Sequence, residues 1–225
     1  METADVARAG RIRMLLTIGM ANALVAFVHF GLAAAGPVLR GGLDIGNAGL
    51  GWLLASAPAG LMFGTFAWGH LADQIGERRA LTIAYSIATA TLTGAALVGG
   101  SIWRDSATLA SSPWLLVLLC ILLVATGAAG SAAHSAGGRA IVEAFPPHMH
   151  ARVLAIRHTF IPLGGTVGGV TMPSLLRHGG LGWALAGAAL FAAALAVALS
   201  LSVPRDLPAR HDADGVALVT GPSPL

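Results

Sequence analysis

The sequence predicts an all-α integral membrane protein, and three observations carry that class. Hydrophobic residues make up 56% of the chain and charged residues 10%, with a mean hydropathy of +0.77. Ordinary soluble domains carry roughly 25% charged residues. A series of apolar runs, each about 20 residues, matches the length an α-helix needs to cross a hydrocarbon core of roughly 30 Å. The charges fall between those runs: lysine is absent, and 13 arginines account for the whole positive side of a net charge of +3. Arginines dispersed to span ends do not form the basic patch of a nucleic-acid binder, so the expected partner is the lipid bilayer and not nucleic acid.

Each element follows in order. The polar segment 1–13 brings Arg8, Arg11 and Arg13 up to the first run, which holds the N-terminus in the cytoplasm. The first helix, 14–38, is longer than a signal-peptide core and leads into further spans, so it is expected to remain as an anchor. It carries Asn22, His29 and Phe30 and ends near Pro37. A Gly-rich connector, 40–47, leads to the second helix, 50–71, where Gly60 and Gly64 present a small-residue groove to a neighbour. Residues 69–81 read as a polar hairpin. Gly69 and Gly76 free the backbone to turn, Asp73 closes one helix, and Arg78 and Arg79 open the next.

The third helix, 81–99, is rich in Ala, Thr and Gly and gives way to a polar connector, 101–112. The fourth runs from 113 to 145, apolar as far as Ala136 and then more polar through Arg139 and Glu143, until Pro146 and Pro147 stop it. A second polar turn, 148–152, precedes the fifth helix, 153–176. That helix holds Arg157, His158, Pro162 and the glycines Gly164, Gly165, Gly168 and Gly169, which read as packing and bending sites. Residues 177–180 connect to an Ala-rich sixth helix, 181–203, and the polar tail 204–225 is expected to be disordered. The domain map is therefore a cytoplasmic N-terminus, 1–13, a six-helix membrane domain, 14–203, and a cytoplasmic tail. Ten arginines lie at the ends assigned inside, and Arg40, Arg104 and Arg177 lie outside. That asymmetry places both termini in the cytoplasm of a multi-pass protein of the cell membrane.

The stretch Gly69-His70-Leu71-Ala72-Asp73-Gln74-Ile75-Gly76-Glu77-Arg78-Arg79 resembles the signature loop between the second and third spans of the major facilitator superfamily. Gln74 and Glu77 stand where that family usually has basic residues. Residues 127–147, with glycines at the start and Glu143-Ala144-Phe145-Pro146-Pro147 at the end, resemble the family's fourth helix. Leu123 occupies the position where many proton-coupled members carry arginine. Residues 155–165 resemble the fifth helix of cyanate-permease-like and related anion carriers, with His158 in place of a glutamine.

The resemblance implies two six-helix halves with the solute between them, of which this chain supplies one. It implies that the first and fourth helices line the cavity, making Asn22, His29 and His134 candidates for solute contact. Arg157 either snorkels to the cytoplasmic surface or, with His158, attracts an anion. It also implies that the carboxylate at Asp73 meets a helix N-terminus of the other half, which a second copy or a separate C-terminal half would provide. Within the chain, Asp73, Arg79, Arg139 and Glu143 are expected to latch the second and fourth helices.

Enzyme motifs are missing: the sequence has no His-Glu-x-x-His, no Gly-x-Ser-x-Gly and no Gly-x-x-x-x-Gly-Lys. No cofactor or metal is expected, and the single Cys120 cannot close an intrachain disulfide. The leading expectation is secondary transport of a small solute by a half-length or truncated transporter. The competing one is a non-transporting membrane fragment, a helix-packing partner or a homodimer subunit.

Overall fold

The computed structural model describes residues 2–204 apart from 106, 108, 110 and 111, and every regular element among them is helical. They are α1 Glu2–Ala34, α2 Gly36–Leu43, α3 Asn47–Ile75, α4 Glu77–Arg104, α5 Trp114–Gly130, α6 Ala136–Ala144 and α7 His150–Ser202. Short 3₁₀ turns, Ser131–Ala133 and Pro147–Met149, precede α6 and α7. Five stretches are long and apolar enough to cross a membrane: Arg8–Ala34, Asn47–Ile75, Glu77–Arg104, Trp114–Ala144 and Pro147–Ser202.

The last stretch, 56 residues, is two legs joined at Gly180, whose φ of 76° and ψ of 177° break the helix. The first leg runs alongside α1 in the same direction, with Phe160 against Gly19 and Met172 against Gly31. The second leg returns, so that Thr17 of α1 meets Ser202 at 3.3 Å. The expected connector at 177–180 thus shrinks to one glycine. The hairpin expected over 69–81 shrinks likewise: Gly69 is helical within α3, Arg78 and Arg79 lie in the first turn of α4, and Gly76 alone turns, at φ 83° and ψ 152°.

Other boundaries move for physical reasons. Pro37 does not end a helix but opens α2, where its missing N–H would have had no partner anyway. Helix extends through the polar residues from Glu2, and α4 runs on to Arg104. The fourth helix, expected to be continuous, is broken between Gly130 and Ala136. Pro162 lies in helical backbone, and the departure in α7 comes at Gly180 instead. The tail from 205, and the disorder expected of it, lies outside the described residues.

Small residues bring the helices together. Gly60 and Gly64 of α3 press on the backbone of Val124 and Ala128 in α5, while Gly127 presses on Ala57. Gly164 and Gly168 do the same against Ala23 and Phe27 of α1, and Gly165 leaves room for the Phe30 ring. Gly169 is at ordinary distance from Ala34, 3.8 Å for an added Cβ. Van der Waals contact of this kind is what drives association where lipid removes the hydrophobic incentive. The two ends of the bundle differ: Arg11, Arg13, Arg78 and residues 201–204 share one end. Gly42 against Trp103 and Gly100 against Gly182 mark the other, which carries Arg40, Arg104 and Arg177.

Candidate functional site

Two polar constructions stand out in this apolar bundle. The first is a latch at the arginine-rich end. Asp73 lies in the last turn of α3, Glu77 is the first residue of α4, and Arg139 reaches both from α6. One guanidinium nitrogen donates to Asp73 Oδ1, and the other donates to Glu77 Oε1 at 2.8 Å. The planar fork of arginine suits two acceptors set side by side. Gly76, between them, is what brings the carboxylates to one place. The Asp73 side chain is 57% exposed and that of Glu77 10%, so the two arms of the fork sit in different surroundings.

Glu77 is the member that sequence reasoning missed, having been read only as a departure from a basic position. Its signal was an acid four residues after Asp73, across a single glycine. Arg79, expected in the latch, instead lines an open cavity with Arg78, Thr82 and Ser200. Glu143 stands one helical turn beyond Arg139 on α6, half-buried.

The second construction is the break in the fourth helix. After α5 ends, Ser131–Ala133 tighten into a 3₁₀ turn, and Ser135, at φ −81° and ψ −77°, leads into α6. Carbonyls at such a break lose their helical partners. Arg157 of α7 supplies new ones, donating from Nη2 to the carbonyls of Ala133 and His134, both at 3.1 Å. The missing side chain of Gly138 makes room for its Nη1. Arg157 is only 4% exposed, so it does not snorkel to the surface; it points inward. Its Nε and the Nδ1 of His134 are buried without a hydrogen-bond partner.

Around this arginine the structure gathers some of the expected residues and separates others. Tyr85, the chain's one tyrosine, is fully buried, donates to the carbonyl of Ala21 at 2.7 Å and lies within electrostatic reach of Arg157. It was not anticipated, although a buried phenol requires an acceptor. Asn22, next to Ala21, is fully buried, donates to Ile18 at 3.0 Å, and keeps its Oδ1 unpartnered. Ile18, one turn earlier, packs against Gly137 just past the break.

His29 borders Tyr85 across a small crevice. It stacks on Phe30, with ring centroids 4.7 Å apart, and lines a crevice of about 20 Å³ that reaches Tyr85 and Thr126. That volume is about what one water requires, and no solute fits it. His158 is exposed on α7, within electrostatic reach of His134. A larger groove of about 470 Å³, between α1 and the two legs of α7, is walled by Met20, Phe27, Phe160, Trp183 and Phe191 and by none of the five polar candidates.

Membrane-length helices, glycine-mediated packing, a carboxylate–arginine latch and an arginine-capped helix break define a multi-pass membrane bundle. The sequence model of the Major Facilitator Superfamily matches residues 18–222. Two proteins of Mycobacterium tuberculosis, from strains CDC 1551 / Oshkosh and H37Rv, are described as uncharacterized MFS-type transporters. Each is 31% identical to this chain over 169 residues, which is 74% of the chain and 34% of the relative. The chain belongs to the Major Facilitator Superfamily, and it spans about a third of the length of these curated relatives.

Proposed function

We propose that the chain is one six-crossing half of a secondary transporter that moves a small anionic solute across the cell membrane by alternating access. Both termini face the cytoplasm in this reading, and a second copy or a separate C-terminal half completes the cavity. Arg157 is the observation that carries it. A guanidinium buried to 4% exposure is costly unless paired, yet among the described residues its hydrogen-bond partners are two carbonyls, and both described ion pairs belong to Arg139. An anion arriving beside His134 would meet a full positive charge and the free Arg157 Nε. Asn22, His134 and Tyr85 then orient the solute, while the latch on Arg139 holds the arginine-rich end shut in one state. The likeness of residues 155–165 to anion carriers points the same way, as does the word transporter in the relatives' descriptions.

The test compares benzoate with benzamide, and cyanate with urea, as stabilisers of the purified chain in detergent and as solutes for proteoliposome uptake. The anion of each pair is expected to win, with Arg157→Gln weakening it about tenfold, the scale of a lost charge-assisted hydrogen bond. Equal effects of benzoate and benzamide, or an Arg157→Gln chain that keeps the preference, would overturn the reading.

A further inference from the structure

The arginine-rich end carries a second basic feature, outside the helix break and the latch. Two adjoining cavities share Arg78. One, of about 660 Å³, lies between the first turns of α4 and the end of α7 and is lined by Arg78, Arg79, Thr82, Ile83 and Ser200. The other, of about 350 Å³, adds Arg11 and Arg13 of α1 and residues 201–204. Among the described residues no acid lines either cavity. Asp73 and Glu77, at the same end, are taken by Arg139.

The basic residues are partly held in place. Arg13 donates to the carbonyl of Leu201 at 3.1 Å, and Arg11 lies over the Phe145 ring, 6.0 Å from its centroid. Arg78 and Arg79 stand on the first turn of α4, where the helix end adds partial positive charge. Below them the groove becomes hydrocarbon. Ile83 and Ile87 on α4 are 43% and 41% exposed, and Val197 and Leu201 on α7 are more so. Four cations over an exposed aliphatic stripe match a molecule with an anionic head and an acyl tail.

We infer that this groove binds an anionic phospholipid, with its phosphodiester among Arg13, Arg78 and Arg79 and an acyl chain along Ile83, Ile87 and Val197. Such a lipid bridges α1, α4 and the second leg of α7. The site is separate from the Arg157 cluster, and its occupancy does not depend on which solute is moved.

Native mass spectrometry of the full chain, released from mild detergent after incubation with dioleoyl phosphatidylglycerol, dioleoyl phosphatidylcholine or glycerol phosphate, tests the inference. Phosphatidylglycerol is expected to be retained at least tenfold over phosphatidylcholine, and glycerol phosphate not at all. Arg78→Gln with Arg79→Gln should lower phosphatidylglycerol retention about 25-fold, roughly fivefold for each arginine. Arg40→Gln with Arg104→Gln, at the opposite end, should leave it unchanged. If the double variant does not fold, the exposed Arg79→Gln alone carries the test at about fivefold. Equal retention of the two lipids, retention unaffected by Arg79→Gln, or glycerol phosphate binding as well as the lipid would each overturn it, the last by showing a soluble-anion pocket.

Discussion

Two of the chain's departures from helix, at Gly180 and between Gly130 and Ala136, are made by different means. At Gly180 the backbone itself is the cause: φ 76° with ψ 177° is a conformation almost closed to residues with a Cβ. Between 130 and 136 no residue has positive φ. What holds that break is Arg157, reaching in from another helix to the freed carbonyls. The first break is local and the second is tertiary. One can be abolished only at its own residue; the other is governed from a distance.

Breaking the comparison at its local side should give the largest effect. Gly180→Ala takes on backbone strain of order 1–3 kcal/mol and also drives a methyl into the Trp103 indole. A loss of about 4 kcal/mol is expected from thermal unfolding in detergent. Gly76→Ala adopts a similar strained backbone at φ 83° but meets nothing within 4 Å, so it should lose only the strain, about 2 kcal/mol. Equal losses at the two glycines would mean that Trp103 yields freely and the turn is less closely packed than described.

The tertiary break is tested from α7. Arg157→Gln removes the charged donor while leaving a side chain of similar reach, and should cost about 2 kcal/mol, as loss of hydrogen bonds from a charged group does. More diagnostic is where the change appears: amide exchange should quicken over residues 131–136, which the substitution does not touch in sequence. Exchange unchanged there would show that the break persists without the arginine.

These two breaks also explain what could be read from the residues alone. Gly179 and Gly180 ended an apolar run, so the return of the chain was visible, and the long spans followed from hydropathy over 20-residue windows. The break near His134 left no such mark. Residues 131–135 hold neither proline nor glycine, and Arg157 lies more than twenty positions later. For Arg157 the residues leave two directions open, to the surface or inward, and the space that Gly138 leaves on another helix favours the inward one. Sign and span end group Asp73 and Arg139 with Arg79 and Glu143, and of these the structure joins Asp73 to Arg139. Glu77 is legible only from the charge balance around Gly76, because its place in the family pattern is usually basic.

The latch supplies the smallest and sharpest test, since a single guanidinium meets two carboxylates in unlike settings. A salt bridge in water contributes little, because solvent screens it and side-chain entropy opposes it. The Asp73 side chain, 57% exposed, is close to that limit, and a double-mutant cycle of Asp73→Asn with Arg139→Gln should return less than about 0.5 kcal/mol. Glu77 is 10% exposed, so its hydrogen bond to Arg139 is screened less, and the matching cycle with Glu77→Gln should return about 1 kcal/mol. The order of the two couplings matters more than either value. If Asp73 proves the stronger partner, its carboxylate is drawn inward in the folded protein. If Glu77 does, Asp73 is the arm that can be released, and the latch can lose one contact while α4 and α6 stay joined.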